Sequence, residues 1–410
     1  MTKRRLTCLL ALGCALAFIT SLGAPALASS GTSGSKSLPP IRHVFLITLE
    51  NKSFSVTFGK HSPAPYFAHT LRAKGALLTQ YYGTGHDSLD NYVAMMSGQS
   101  STTQTSNDCN VYADFHQTGT AAYGQVVGQG CVYPASVETL VNQLTAAGLT
   151  WKGYMQDMGN DPARESATCG HPSLNAQDLT QEAEAPSPAV PSGDMYATRH
   201  DPFMYFHSII DTAACKNVVN LRQLRTDLRS VATTPNFSYI TPNLCNDGHD
   251  SPCANGEHGG LPSINAFMQK WIPILMNSPA YKKDGLIIIN FDEGGDGKIE
   301  HTKHGVIVTM YGRSCCNQQK GPNLDKTYPN VTSYMSHGQR VTVKTLSLGG
   351  DRPGALLLSK YIRPGTVSNV PYNHYSLLKS LEEIFGIHQY LGYAGQPGLV
   401  AFGPDVFTNP

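Results

Sequence analysis

Apolar residues along the chain concentrate in short runs, and two of these runs share an ending. Residues 43–49 read His-Val-Phe-Leu-Ile-Thr-Leu and lead into Glu50 and Asn51; residues 285–291 read Gly-Leu-Ile-Ile-Ile-Asn-Phe and lead into Asp292 and Glu293. Runs this apolar and β-branched predict strands buried on both faces, as in a parallel α/β sheet. In such sheets the ligand site lies beyond the carboxyl ends of the strands. Glu50, Asn51, Asp292 and Glu293 delivered to that edge would cage a hard or borderline cation.

Strands are predicted over residues 42–49, 151–155, 236–241, 285–291 and 305–311, and helices over 66–74, 88–97, 136–147, 217–230, 261–277 and 374–386. Their alternation predicts an α/β fold with a doubly wound, mostly parallel central sheet flanked by helices. The Gly/Pro/polar stretches 98–134 and 156–200 are too long for simple connections, so they are expected to form irregular excursions over the site, with 312–372 covering its mouth. No repeat and no composition break after residue 40 divides the chain, and candidate ligands run from residue 50 to residue 374, which predicts a single catalytic domain over 41–410.

The first 28 residues carry an export pattern: Lys3, Arg4 and Arg5, an apolar stretch over 9–19 too short to span a bilayer, and Ala26-Leu27-Ala28 as a cleavage site. Residues 29–40, rich in Ser and Gly, read as a flexible leader. Nothing later has the length of a membrane helix, so a secreted or cell-envelope protein without a transmembrane anchor is expected. The chain holds 30 Lys/Arg against 29 Asp/Glu; residues 1–28 contain three of the basic residues and no acidic one, which leaves 27 against 29. That balance argues against nucleic acid as a partner, because tracking phosphates requires a basic surface. Eight Cys follow the signal, and an even number without paired CxxC motifs predicts disulfides rather than a thiolate zinc site. Neighbourhood in sequence suggests Cys109–Cys131, Cys245–Cys253 and Cys169–Cys215, with adjacent Cys315 and Cys316 unassigned.

Four polar clusters carry candidate chemistry. Leu89, Tyr92, Val93 and Met96 fall at helical spacing, so a helix opens at Ser88, preceded by Gly83 and Gly85 and flanked by His86 and Asn91. A serine there is a favoured cap; it also sits among free N–H groups at the positive end of a helix, a natural phosphate seat, where a metal would make its oxygen a nucleophile. Tyr239 to Asp250 packs Asn243, Asp247 and His249 into one turn, which suits either a bridged Asx turn or a carboxylate–imidazole metal site. Arg199 and His200 lie in a polar turn where either could steady a phosphate oxygen or form a surface ion pair. His374 opens an amphipathic helix, and His304 precedes the apolar run 305–310.

The pieces HVFLITLENKSF, GTGHDSLDNYVAMMSGQS, YATRHDPFMYFHSI, TPNLCNDGHD, INFDEGG and NHYSLLKSLEEIFGI follow one another here. In that order they resemble the phosphoesterase family of secreted acid phosphatases and bacterial phospholipases C, within the alkaline phosphatase superfamily. The likeness runs from about residue 41 to 390, and the Ser88 stretch is closer to the acid phosphatases, with Asp87 and Asp90 where prolines are common. The resemblance implies an alkaline-phosphatase-like fold in which Glu50, Asn51, Asp292 and Glu293 hold a divalent metal ion with Ser88 as ligand and nucleophile. It places Asp247, His249 and His374 on the leaving-group side, as phosphate contacts or a further metal site. Many relatives have Asp-His where this chain has Asp292-Glu293, so zinc, manganese, magnesium and calcium all stay open, in unspecified number.

The expected protein is thus a secreted, metal-dependent phosphatase that hydrolyses phosphate monoesters through a phosphoserine at Ser88. His249 and His374 assist the leaving oxygen, and Asn91, His86, Arg199, His200 and His304 contact substrate. The partner is a phosphorylated small molecule or a lipid headgroup, and no oligomeric state is implied. A phospholipase C or other phosphodiesterase, or a phosphoinositide phosphatase, is the alternative on the same fold. A non-catalytic metal-binding envelope protein is the alternative in another class.

Overall fold

The computed structural model describes residues 38–336 and 338–409. The export signal at 1–28 and most of the leader at 29–40 lie outside the described residues. The strands of the two larger sheets are β1 (His43–Leu49), β2 (Ala76–Leu78), β3 (Trp151–Met155), β4 (Val218–Asn220), β5 (Phe237–Thr241) and β6 (Gly285–Phe291), followed by β7 (Gly297–Thr302), β8 (Gly305–Met310), β9 (Asn330–Ser336), β10 (Gln339–Thr345), β11 (Ala355–Ser359) and β12 (Thr366–Ser368). The longer helices are α1 (Ser88–Ser97), α2 (Leu140–Ala146), α3 (Gly260–Asn277), α4 (Pro279–Asp284) and α5 (His374–Ile384).

The central sheet has eight strands in the order β12-β2-β11-β6-β1-β5-β3-β4. The pairs β6/β1, β1/β5, β5/β3, β3/β4 and β2/β12 are parallel, and β11 runs antiparallel between β6 and β2. β1 and β6 are buried along their whole length, as their nearly unbroken apolar runs require. Their side chains alternate between two cores. Val44, Leu46, Leu286 and Ile288 pack with Leu89, Val93, Met96, Leu377 and Leu381 of α1 and α5 on one face. Phe45, Ile47, Leu49, Ile287 and Ile289 pack with Ile264, Phe267, Met268 and Trp271 of α3 on the other. The fold is therefore the expected α/β class, with helices on both sides of a mostly parallel sheet.

Three local expectations change. Residues 66–74 form a π-helical turn, Tyr66–Leu71, running into a 3₁₀ turn, Arg72–Lys74. Residues 217–230 open as strand β4, because Val218 and Val219 pair with Gly153 and Tyr154, and only Leu224–Asp227 makes an α-turn. Edge pairing overrides the helical pattern there. The run at 305–311 is a strand, β8, but in a separate four-stranded sheet of order β7-β8-β10-β9. All three suggested disulfides are present, and Cys315 is bonded to Cys316. Among the described residues no helix is long and apolar enough to cross a membrane.

Helix α5 holds one buried acid. Burial lifts the Glu382 carboxyl to about 8, opposed by the Leu391 N–H that donates to it at 2.8 Å. A carboxyl raised on folding stabilises fully below its unfolded value, near 4.5, and that contribution is lost as pH rises through 8. Glu382→Gln is therefore expected to melt progressively higher than the parent chain between those limits, by roughly 2–4 kcal/mol across the window. A pH-independent difference in melting temperature would contradict this.

Candidate active site

Register brings the acidic strand ends together. Leu49 pairs with Phe291 across β1 and β6, so Glu50 and Asp292 leave the sheet side by side, with Asp292 N–H donating to Leu49 O at 2.9 Å. Asn51 then adopts left-handed backbone at φ +56°, a conformation that Asn tolerates better than most residues. Its N–H donates to Asp292 Oδ1 at 2.9 Å, and its amide donates to Glu50 Oε2 at 3.0 Å.

Helix α1 begins against this pair. Asp87 is the extended residue before the helix and Ser88 is its first helical residue, so Ser88 is not the cap. Its hydroxyl donates to Glu50 Oε2 at 2.8 Å. One turn on, Tyr92 OH donates to Glu50 Oε1 at 2.7 Å. The close approach depends on Gly83, where a Cβ would lie 2.6 Å from Asp292 O. Asn91 is occupied at both ends: Oδ1 accepts from Thr84 N at 2.7 Å and Gly85 N at 2.9 Å, and Nδ2 donates to Asp87 O at 3.0 Å. Its amide thus ties the preceding loop to the helix.

The turn after β5 supplies a third wall. Glu50 N–H donates to Asp247 O at 2.9 Å. Asp247 Oδ1 accepts from His249 N at 2.8 Å, an Asx turn closed by the Cys245–Cys253 bridge, and Oδ2 lies 3.0 Å from His200 Nδ1. His200 Nε2 is 3.5 Å from Glu50 Oε1, and its ring stacks on Tyr92 with centroids 5.4 Å apart. One ligand atom from each of Glu50, His200 and Asp247 lies within 4.8 Å of the others, and all three residues are buried. His200, expected among the substrate contacts, thus stands with Glu50 and Asp247.

The remaining expected residues divide. Arg199 is buried rather than on the surface; it donates to Gln181 O at 2.7 Å and its Nη2 is 3.3 Å from His249 Nε2. His249 is also held by Asp250, 2.8 Å from Nδ1. His374 reaches the strand end, but both its nitrogens are engaged, Nδ1 with Tyr81 OH at 2.8 Å and Nε2 with Asp292 O at 2.5 Å. His86 Nε2 lies 2.9 Å from Ser347 O, and Nδ1 lies 4.0 Å from Glu293 Oε2. His304 sits exposed in the β7–β8 turn, at the end of that hairpin remote from Glu293. Two contributors went unread in the sequence. Tyr92 looked like core stripe until its hydroxyl was seen on Glu50, although its place four residues after Ser88 is a signal. Lys52, next to Asn51, donates to Gly248 O at 2.7 Å.

Burial drives Glu50, Asp247 and Glu293 well above the usual carboxylate range, and Asp292 up to about 6; repulsion from Asp292 adds to the lift on the other three. Burial, with Arg199 and His249 beside it, holds His200 well below the usual imidazole range. His374 is pushed down to about 4 by burial. Among the described residues His200 Nε2, Asp292 Oδ2 and Glu293 Oε2 are buried with no hydrogen-bond partner. Clustered carboxylates and a neutral imidazole with open lone pairs fit a divalent cation, whose charge would offset the desolvation.

The fold and site together define an α/β protein with a buried cluster of nitrogen and oxygen donors that could hold a metal ion at the carboxyl edge of its sheet, next to a serine at a helix start. The chain belongs to the Phosphoesterase family, which it matches over residues 60–388, as the six sequence pieces implied. It is similar to the probable acid phosphatase of Kluyveromyces lactis, at 22% identity over 296 residues, covering 72% of this chain and 57% of that one. It is also similar to a phosphatidylinositol-3-phosphatase of Mycobacterium tuberculosis, at 24% identity over 357 residues, covering 87% of this chain and 81% of that one. The chain spans about half the length of the fungal acid phosphatases it matches. A solved structure in the alkaline phosphatase superfamily, from Vibrio parahaemolyticus, aligns with TM-score 0.44 at 12% identity, over 87% of this chain and 70% of that one.

Proposed function

We propose that the protein is a metal-dependent phosphatase that hydrolyses phosphate monoesters through a phosphoserine at Ser88. The observation that carries the reading is the Ser88 hydroxyl bonded to Glu50, within the buried cluster that Glu50 forms with His200 and Asp247. Relatives named acid phosphatase and phosphatidylinositol-3-phosphatase support the monoester over the diester. The second of these also supports a phosphorylated inositol headgroup as substrate.

Glu50, His200 and Asp247 would hold the ion, with Asp292, Glu293 and Asn51 beside them. A bound divalent ion supplies positive charge for the phosphoryl oxygens and lowers the pKa of the serine hydroxyl. Ser88 Oγ attacks phosphorus in line, the bond from phosphorus to the departing oxygen breaks, and the serine proton passes to Glu50, which already accepts it. Arg199 meets the charge on the transferring group; His249, bonded to Asp250 through Nδ1 and accepting from Arg199 at Nε2, holds that guanidinium in place, and the leaving oxygen takes its proton from solvent. Water then attacks the phosphoserine, the bond from phosphorus to Ser88 Oγ breaks, and the serine recovers its proton. His374, neutral and bonded on both nitrogens, is a positioning residue that steadies the Asp292 backbone.

The test is turnover of p-nitrophenyl phosphate, bis-p-nitrophenyl phosphate, phosphatidylcholine and phosphatidylinositol 3-phosphate, before and after chelation. Chelator-sensitive release from the two monoesters alone is expected. Cleavage of the diester or of phosphatidylcholine at a comparable rate would replace this reading with a phosphodiesterase, and activity indifferent to chelation would remove the metal.

A further inference from the structure

The β7-β8-β10-β9 sheet has no buried residue among those described, although its sequence is amphipathic. Cross-strand pairing puts Ile299, Val306, Val308, Val341, Val343 and Tyr334 on one face. Lys298, Glu300, Thr309, Arg340, Thr342 and Lys344 fall on the other, a mixed face that also carries Ile307, Val331 and Met335. None of the apolar six belongs to, or packs against, the hydrophobic clusters of the protein. Ile299 is 64% exposed and Tyr334 56%. A contiguous apolar face of this kind on a folded chain marks a contact surface.

Geometry and charge select the occupant. β8 and β10 are parallel, so the β7–β8 and β9–β10 turns lie at the same end of the sheet; Lys303 sits in the first turn and Arg340 is the second residue of β10, beside the other turn and on the face opposite the apolar six, and both are exposed. Residues 297–345 hold seven Lys/Arg and two Asp/Glu, which leaves 23 against 27 for the rest of the chain. The positive excess is thus local to this segment. The face measures roughly 19 Å by 20 Å, from strand spacing and rise, or about 400 Å², half of what each partner of a stable protein pair contributes. The sheet is rooted beside the active site: β7 starts four residues after Glu293, and Ser347, two residues past β10, holds His86.

We propose that this sheet docks the protein on an anionic lipid bilayer, with its apolar face in the interfacial layer and Lys303 and Arg340 on acidic headgroups. The inference stands independently of the reaction assigned above. It is tested by co-sedimenting the full chain with phosphatidylcholine vesicles made with and without phosphatidylserine. The parent is expected to partition at least about tenfold better onto the anionic vesicles, with the preference falling at high salt. Lys303→Glu/Arg340→Glu should abolish that preference, and Ile299→Ser/Tyr334→Ser should release the protein from both vesicles. Unchanged melting temperatures certify that both variants are folded, whatever their catalytic state. Equal binding by parent and both variants, or none by the parent, overturns the proposal. A parent that binds no vesicle yet forms a dimer lost in Ile299→Ser/Tyr334→Ser would assign the face to a second copy instead.

Discussion

Ser88→Ala is expected to lower turnover of p-nitrophenyl phosphate by on the order of 10⁴-fold or more, because a deleted nucleophile cannot be replaced by its neighbours. The substitution is a clean one. Ser88 is buried at the start of α1 and is not the residue that caps it, so alanine keeps the helix. Glu50 Oε2 loses one donor at 2.8 Å but keeps Asn51 Nδ2 at 3.0 Å, which limits the stability loss to about 1 kcal/mol. Bound metal, measured by elemental analysis, should persist in the variant. Melting temperature and metal content like the parent's, with turnover gone, would identify the hydroxyl as the reacting group. Full turnover in this variant would end the phosphoserine mechanism.

The second large effect belongs to His200. His200→Ala is expected to weaken metal binding by about 10²-fold or more and to reduce turnover in step. The imidazole is buried and neutral, with Nδ1 beside Asp247 and Nε2 without a hydrogen bond and 3.5 Å from Glu50. Donation from Nδ1 to Asp247 leaves the Nε2 lone pair pointing at the other ligands, the arrangement expected of an oriented metal-binding histidine. Chelation should lower the parent's melting temperature, since an ion that binds only the folded chain stabilises it. The same treatment should leave the variant's melting unchanged. His304→Ala, in an exposed turn, is the control and should alter neither quantity. A His200 variant that keeps its ion and loses only substrate affinity would return this residue to the substrate contacts.

Legibility in the sequence followed burial. β1 and β6 were readable because both faces are covered and nearly every position is apolar, with Thr48 and Asn290 satisfying each other across the pair. α1 and α3 were readable because long periodic stripes face one core each. β2, β4 and β12 are three residues long and carry too little pattern to announce themselves. β7, β9 and β10 mix Lys, Arg, Thr and Ser with aliphatics and border no core, so none of them was read as a strand, and β9 and β10 passed as part of the irregular segment 312–372. The acidic strand ends and Ser88 were legible as chemistry because their residue types are costly to bury without a partner. The finer division was not. Asn91 and His374 carry suitable atoms, yet hydrogen bonds to Thr84, Gly85, Tyr81 and Asp292 use them up. His200 and Tyr92 enter the cluster only through tertiary contacts with Glu50, which spacing does not encode.

The pairing of β1 with β6 also has a consequence for the timing of activity. Thr48 and Asn290, bonded across those strands, are separated by 242 positions. A ribosome adding about 5–20 residues per second therefore takes on the order of tens of seconds to travel from one to the other. Through that interval the nascent chain displays Ser88 and Glu50 but lacks the strand that locks Asp292 against them. Truncated products and stalled chains should be hydrolytically silent, and onset of ester cleavage during synthesis would serve as a clock for closure of the central sheet.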